Sequence, residues 1–503
     1  MLPQRTAKLG VEVKSFLRFL SLTTATQIFL LINQLVLLPL QLRIWGSDVT
    51  AHWFVITALA NLASVADLGL RSAGHAQLLS SVQDGDEAAR LEFRRIWALA
   101  RTLVIVVTGV LLAFEVAASL RHGAAPQLWV AAVIVTLALD TLGIVRGMWL
   151  DSLGHFSTVE LLFLAMVATR VLLSIVALLA FHAPPAVLAW IMLATAIGAT
   201  VMQARVIRKP TSLALLAGGF SALRWRSLAV VRFVVAEPAS NWMRLSLPVI
   251  VFAAISPPRF VTTYVALRAI FGLVRQVATQ ISRYASVSYV HRAMTNPDVA
   301  DRIMSRSYLA ITFVGIAMSS GVIMDHGRLL QIWLHGGDPR SESLISLSFA
   351  FGAVAYGYQV FAGVLMRSGD VVGVAKRQYV YLAASGMAAF VGYISGSGAL
   401  YLALLAMQEL LIAGLFAGVF TRQLRSSLAI FGVGASLIIV LWVAADWDMG
   451  GWFTALTVRQ MGISLLCGAA SACAGLLACL LIDHRNNRSP MAPHSREEPQ
   501  PNG

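Results

Sequence analysis

From about residue 17 to residue 482 the chain repeats one unit, a window of roughly 20 apolar residues followed by a short loop holding arginine. Coiled as a helix, such a window spans the ~30 Å hydrocarbon core of a bilayer. The spacing predicts spans near 17–42, 51–71, 97–119, 127–149, 157–181, 186–207, 231–256, 260–289, 306–326, 343–366, 378–395, 399–421, 427–445 and 461–482. The expected fold is thus an all-α polytopic membrane protein of about 14 transmembrane helices. A content of 58% hydrophobic and 12% charged residues excludes an ordinary soluble domain. The first apolar run exceeds a signal-peptide core and lacks a small-residue cleavage site, so it reads as a retained span. The tail 483–503 is polar and proline-rich, the composition of a disordered segment.

The formal net charge is +14, and 34 of the 38 basic residues are arginine. These cations lie between apolar spans rather than in a polar, aromatic-laced cluster, which argues against nucleic acid as a partner. Eighteen lysines and arginines occupy loops on the amino-terminal side and six the opposite loops, so both termini are expected in the cytoplasm. The opposite loops are too short for a catalytic domain. Cys467, Cys473 and Cys479 are six apart, each turned by about 120° from the last on a helix. They cannot converge on a metal, and no metal site is expected.

Charge also occurs inside the spans. Around a turn at Ser256-Pro257-Pro258, one span carries Arg232, Glu237, Asn241 and Arg244, and the next Arg268, Arg275 and Arg283. A charge at the bilayer centre costs at least ~2.5–3.5 kcal/mol, so these groups should face protein or a water-filled cavity. Helical spacing gives Glu237, Asn241 and Arg244 a common face, and Arg268, Arg275 and Arg283 another. Arg244, Arg268 and Arg275 suit an anion, because the guanidinium fork matches phosphate. Neutral amides at Asn241, Gln27, Gln34 and Asn61 suit sugar hydroxyls, as do Tyr356, Tyr358, Gln359 and Gln408. Asp140, Asp67 and Glu237 are the candidates for ion coupling. Each has a plainer reading. Arg268 and Arg275 would bridge to Glu237, Asp140 or Glu409, Arg283 would snorkel, Asp67 would cap a helix or pair with Arg71, and the glutamine stripe Gln27/Gln34/Gln41 would glue helices together.

The chain also repeats itself. Ala25-Thr26-Gln27 matches Ala239-Ser240-Asn241, and His52–Leu59 matches Thr263–Ile270. Gly147–Gly154 matches Gly363–Gly369 with one residue deleted. Six spans per half make this a parallel repeat, with a cavity between two lobes. The expected organisation is an amino-terminal segment 1–16, an N-lobe 17–207, a cytoplasmic linker 208–230, a C-lobe 231–421, two further helices at 427–482 and the tail 483–503.

Trp53 through Ser72, with Val65-Ala66-Asp67-Leu68-Gly69-Leu70, together with Tyr264–Arg268 and the turns at Gly154 and Gly369, give the chain its resemblance over residues 15–425. It resembles polysaccharide and O-antigen flippases of the multidrug/oligosaccharidyl-lipid/polysaccharide exporter superfamily. The resemblance implies a V of two six-helix lobes working by alternating access in a bacterial cytoplasmic membrane. It also implies a polyprenyl-pyrophosphate-linked glycan as cargo, with membrane lipid and a polysaccharide polymerase or chain-length regulator as partners. No cofactor is implied, and a proton or sodium gradient is the energy source to consider. Two alternatives stand beside it. A drug–cation antiporter of the same superfamily would need an acid in the opening helix, and 17–42 has none. A glycan polymerase or glycosyltransferase would need a large outer loop or a carboxylate pair, and Asp446-Trp447-Asp448 reads as a solvated turn.

Overall fold

The computed structural model describes residues 21–65, 78, 86–121, 125, 127–152, 155–207, 235–293, 297–334, 339–367 and 370–417. Spans thirteen and fourteen, the linker 208–230, the tail, Asp67, Arg71 and Arg232 lie outside them.

The described chain is helical throughout, with no strand among the described residues. It opens with the helical run Ser21–Ala60. At ~1.5 Å per residue a straight helix of that length would be about 60 Å, twice the hydrocarbon thickness. Gly46 breaks it, with φ 78 and ψ 175, a conformation that favours glycine. We number the two pieces α1 (21–45) and α2 (47–60); one further turn, Leu62–Val65, follows Asn61. The bend brings the Trp45 and Trp53 rings to 5.6 Å, edge to face, and Trp53 stacks on Trp129 at 5.8 Å.

The remaining helices are α3 (Asp86–Arg121), α4 (Leu128–Ser152), α5 (Phe156–Phe181) and α6 (Pro185–Ile207), then α7 in two pieces (Ala236–Leu245 and Leu247–Ile255). After these come α8 (Pro258–Ala293), α9 (Pro297–Leu334), α10 in two pieces (Pro339–Ala355 and Tyr358–Arg367), α11 (Val371–Ser395) and α12 (Gly398–Ala417). Pro185, Pro258, Pro297 and Pro339 each stand first in a helix, where a missing N–H costs nothing and the fixed φ is already helical. Gly396 ends α11 in the left-handed region, φ 62. Eight helices among the described residues are long and apolar enough to cross a membrane, nine with the bent pair of α10.

Two of these helices were expected as single spans, 231–256 and 343–366, and both are broken. Pro248 stands at the start of the second piece of α7, where it has no N–H for the carbonyl one turn back. The two pieces of α10 meet at 44°. At that break a Cβ on Gly357 would lie 2.6 Å from the Tyr308 ring, so α9 approaches closer than any side chain would permit. The opening helix of the first half is disturbed at the matching place, by a π-helical turn at Asn33–Leu37.

Apolar side chains bury in two main cores. One gathers Leu37, Trp53, Ile56, Val133, Leu178 and Leu188 of the first half. The other gathers Phe252, Tyr264, Phe271, Tyr381, Tyr401 and Phe416 of the second, and takes in Leu38, Ala51 and Ala58 from the first. The halves therefore meet along α1–α2 against α7–α9. Two tryptophans fasten that seam: Trp242 Nε1 donates to the Ala58 carbonyl at 3.0 Å, and Trp333 Nε1 to the Leu35 carbonyl at 2.7 Å.

Candidate functional site

The broken helices α7 and α10 build the charged centre of the second half. Arg244 occupies the last turn of the first piece of α7, where a cation is favoured by the helix dipole. Its Nη2 donates to Glu409 of α12, and its Nη1 donates to the Tyr358 hydroxyl at 2.7 Å. The guanidinium stacks over Tyr356 at 4.4 Å and lies 5.6 Å from the Tyr358 ring. Residues two apart on a regular helix point about 200° apart. Tyr356 and Tyr358 flank one cation only because α10 breaks between them. Glu409 accepts a second bond from the Tyr381 hydroxyl of α11 at 3.3 Å. Both members of the ion pair are nearly enclosed, with side-chain exposures of 8% and 12%.

Arg268 on α8 has a different employment. Its Nη1 donates to the backbone carbonyl of Leu245, one of the acceptors left without an intrahelical donor where α7 stops. Arg275, two turns further along α8, is half-buried and has no hydrogen bond or ion pair among the described residues. The groups that act on it electrostatically are Tyr356, Tyr358 and Arg244. Three arginines and one carboxylate leave this centre with a formal charge of +2. The first half contributes to it as well: the Gln34 side-chain oxygen lies 3.5 Å from where a Cβ on Gly272 would stand, on the stretch of α8 between Arg268 and Arg275. The side-chain oxygens of Gln34 and Gln27 are buried and unpaired.

The other expected residues are distributed more widely. Asn241 is exposed, one turn before Arg244. Glu237 begins the same helix. Asn61 caps α2, its N–H bonded to the Thr57 carbonyl at 2.9 Å. Gln359 and Gln408 are engaged with neighbouring helices, Gln359 by Ser282 and Thr279, Gln408 by Ser385 and the Ala384 carbonyl. The Arg283 side chain lies outside the described residues. Asp140 stands apart from this centre, in the first half. Arg170 of α5 holds it with two parallel bonds, 2.9 and 3.1 Å, and reaches Thr195 of α6 at 3.1 Å.

One participant escaped the sequence reading, and another was paired differently. Arg170 lay inside a span without an obvious partner; its signal was the single aspartate of the neighbouring span. Glu409 was named as a partner for Arg268 or Arg275, whereas it belongs to Arg244.

No protein-family model matches the sequence, and no curated protein sequence matches it. Solved structures do resemble it. The lipid II flippase MurJ in an inward closed conformation aligns over 93% of this chain and 99% of its own, with a TM-score of 0.62 at 11% identity. An inward-facing multidrug resistance MATE family transporter of the MOP superfamily aligns over 82% and 95%, with a TM-score of 0.55 at 11% identity. The eukaryotic MATE transporter AtDTX14 aligns over 82% and 99%, with a TM-score of 0.53 at 14% identity. The chain shares the fold of these solved transporters.

Proposed function

We propose that this protein is a flippase. It carries a polyprenyl-pyrophosphate-linked oligosaccharide from the inner to the outer leaflet of the bacterial cytoplasmic membrane, for surface polysaccharide synthesis. The two lobes, 17–207 and 231–421, rock about the seam between α1–α2 and α7–α9 to expose the site alternately. The observation that carries this reading is Arg275: a cation with no anion partner among the described residues, beside Arg244 and Arg268, on a centre whose formal charge is +2. A pyrophosphate diester carries about two negative charges and would balance it, with Arg275 and the free donors of Arg268 as ligands. Tyr356, Gln34 and Asn241 would meet the first sugar, and the lipid tail would remain in the bilayer. A drug–cation antiporter would call for the opposite charge at this position.

The test is accumulation of lipid-linked oligosaccharide on the cytoplasmic leaflet of cells carrying Arg275→Ala, Arg275→Lys or Arg275→Glu, with protein abundance measured in parallel. Alanine should slow transport by about one to two orders of magnitude, lysine less, and glutamate should stop it. Normal transport by the glutamate variant would overturn the proposal.

A further inference from the structure

Outside that centre, Arg146 is a buried cation without an anion among the described residues. Arg146 of α4 is 8% exposed. Its guanidinium stacks over Trp97 of α3 at 5.2 Å, and its Nη1 is buried without a hydrogen-bond acceptor. Among the described residues no carboxylate acts on it. Asp140, six residues earlier on the same helix, is taken by Arg170.

A second buried donor without an acceptor among the described residues lies on α3, at Arg94, next to Phe93 in sequence. Phe93 of α3 stacks on Trp149 of α4 at 4.9 Å, which sets residues 93–97 of one helix against 146–149 of the other. Arg94 falls within that stretch, half-buried, and its Nε is buried with no acceptor. Both orphaned groups are donors on guanidiniums, which do not discharge at any physiological pH. Enclosing such a charge without an anion is costly, so the missing partner is an anionic oxygen.

The depth of the pair indicates which anion. On α4 Arg146 lies about 4.5 Å inside the end of the expected span 127–149. On α3 the expected span 97–119 begins at Trp97, and Arg94 precedes it by about 4.5 Å. Headgroups occupy the layer just outside the hydrocarbon core, some 5–8 Å thick on each side. A phosphate of a membrane lipid lies at that level. It offers several charged oxygens to two guanidiniums at once, which a single water would not.

We propose that Arg94 and Arg146, backed by Trp97, form a second anion site that holds the phosphate of a lipid at the α3–α4 contact. This site is separate from the Arg275 centre and does not depend on it. Its ligand is either a bulk anionic phospholipid or the phosphate head of a prenyl-linked cargo.

The test counts molecules retained by the full-length protein in detergent by native mass spectrometry. The probes are phosphatidylglycerol, diacylglycerol (the same tails without phosphate) and farnesyl pyrophosphate. The wild type and Arg275→Ala should retain phosphatidylglycerol but not diacylglycerol. Arg146→Gln and Arg94→Gln should each weaken that retention about tenfold or more, and Arg146→Lys should restore part of it. Displacement of phosphatidylglycerol by farnesyl pyrophosphate in Arg275→Ala assigns the site to prenyl phosphates, and failure to displace it assigns bulk phospholipid. If Arg146→Gln does not fold, Arg94→Gln decides alone. Wild-type retention by Arg94→Gln, or equal retention of diacylglycerol and phosphatidylglycerol by the wild type, would overturn the proposal.

Discussion

Arg244 and Glu409, 165 residues apart in sequence, form an enclosed ion pair between α7 and α12, walled by Tyr356, Tyr358 and Tyr381. Breaking a buried pair from one side strands the other charge, at roughly 3–5 kcal/mol. Arg244→Ala should therefore lower the unfolding midpoint and the membrane abundance of the protein. Arg244→Ala combined with Glu409→Gln should recover most of that loss, because no ion remains stranded. Thermal unfolding of the detergent-solubilised single and double variants checks this. A double variant as unstable as Arg244→Ala would mean that the charge pairing is not what holds α7 to α12.

Arg275 is expected to behave in the opposite way. With no ion-pair partner among the described residues, its removal strands nothing. Arg275→Ala should match the wild type in unfolding midpoint while transport falls by about one to two orders of magnitude. Parallel melting curves and lipid-linked oligosaccharide measurements separate the two effects. A fall in stability equal to that of Arg244→Ala would place Arg275 in the scaffold.

The contrast between these two arginines marks how far the sequence can be read. Apolar window length made the helices of 21–417 legible, and a heptad spacing puts Arg268 and Arg275 on one side of α8. Which arginine had a counter-ion was not legible. Arg244, Arg268 and Arg275 look alike as buried cations in a run of apolar residues, and their partners are fixed by tertiary packing. One is a carboxylate from a distant helix, one is a backbone carbonyl at a helix break, and the third arginine has none among the described residues. The breaks themselves had signals that span length alone hides: Pro248 inside 231–256 and Gly357 inside 343–366. The Asp140–Arg170 pair is hidden for the same reason, since 30 residues and a helix turn separate two groups that meet at 2.9 Å.

That pair gives a further expectation. Asp140 and Arg170 are bidentate, with side-chain exposures of 20% and 17%, and Thr195 completes the cluster. Asp140→Asn leaves Arg170 with a weaker acceptor and should destabilise the first half. Exchanging the two residues, Asp140→Arg with Arg170→Asp, should restore much of the stability. If Asp140 instead carries a coupling ion, Asp140→Asn will keep the melting midpoint and abolish the dependence of transport on the ion gradient. Melting curves together with transport assayed with and without a proton gradient discriminate the two.

The last expectation concerns the seam between the halves. Trp333 at the end of α9 donates to the Leu35 carbonyl, and Leu35 lies within the π-helical turn at Asn33–Leu37. Pro39, four residues on, has no N–H to donate to the Leu35 carbonyl, so the bond from Trp333 satisfies an acceptor that the i to i+4 pattern of α1 leaves open. It forms only while α1 and α9 are together. If the halves rock apart during transport, this bond must break once in each cycle. Trp333→Phe retains most of the ring and loses the N–H, removing roughly 0.5–1.5 kcal/mol of net hydrogen bonding. The conformation with α1 and α9 together should then lose population by about two- to tenfold relative to the open one. Single cysteines placed at Val36 and Val49, both exposed, would report this as faster labelling by a membrane-impermeant thiol reagent. Unfolding midpoints should change little, because no charge is stranded. Labelling rates identical to those of the unsubstituted Trp333 protein at both positions would show that the Trp333–Leu35 bond does not govern opening at this seam.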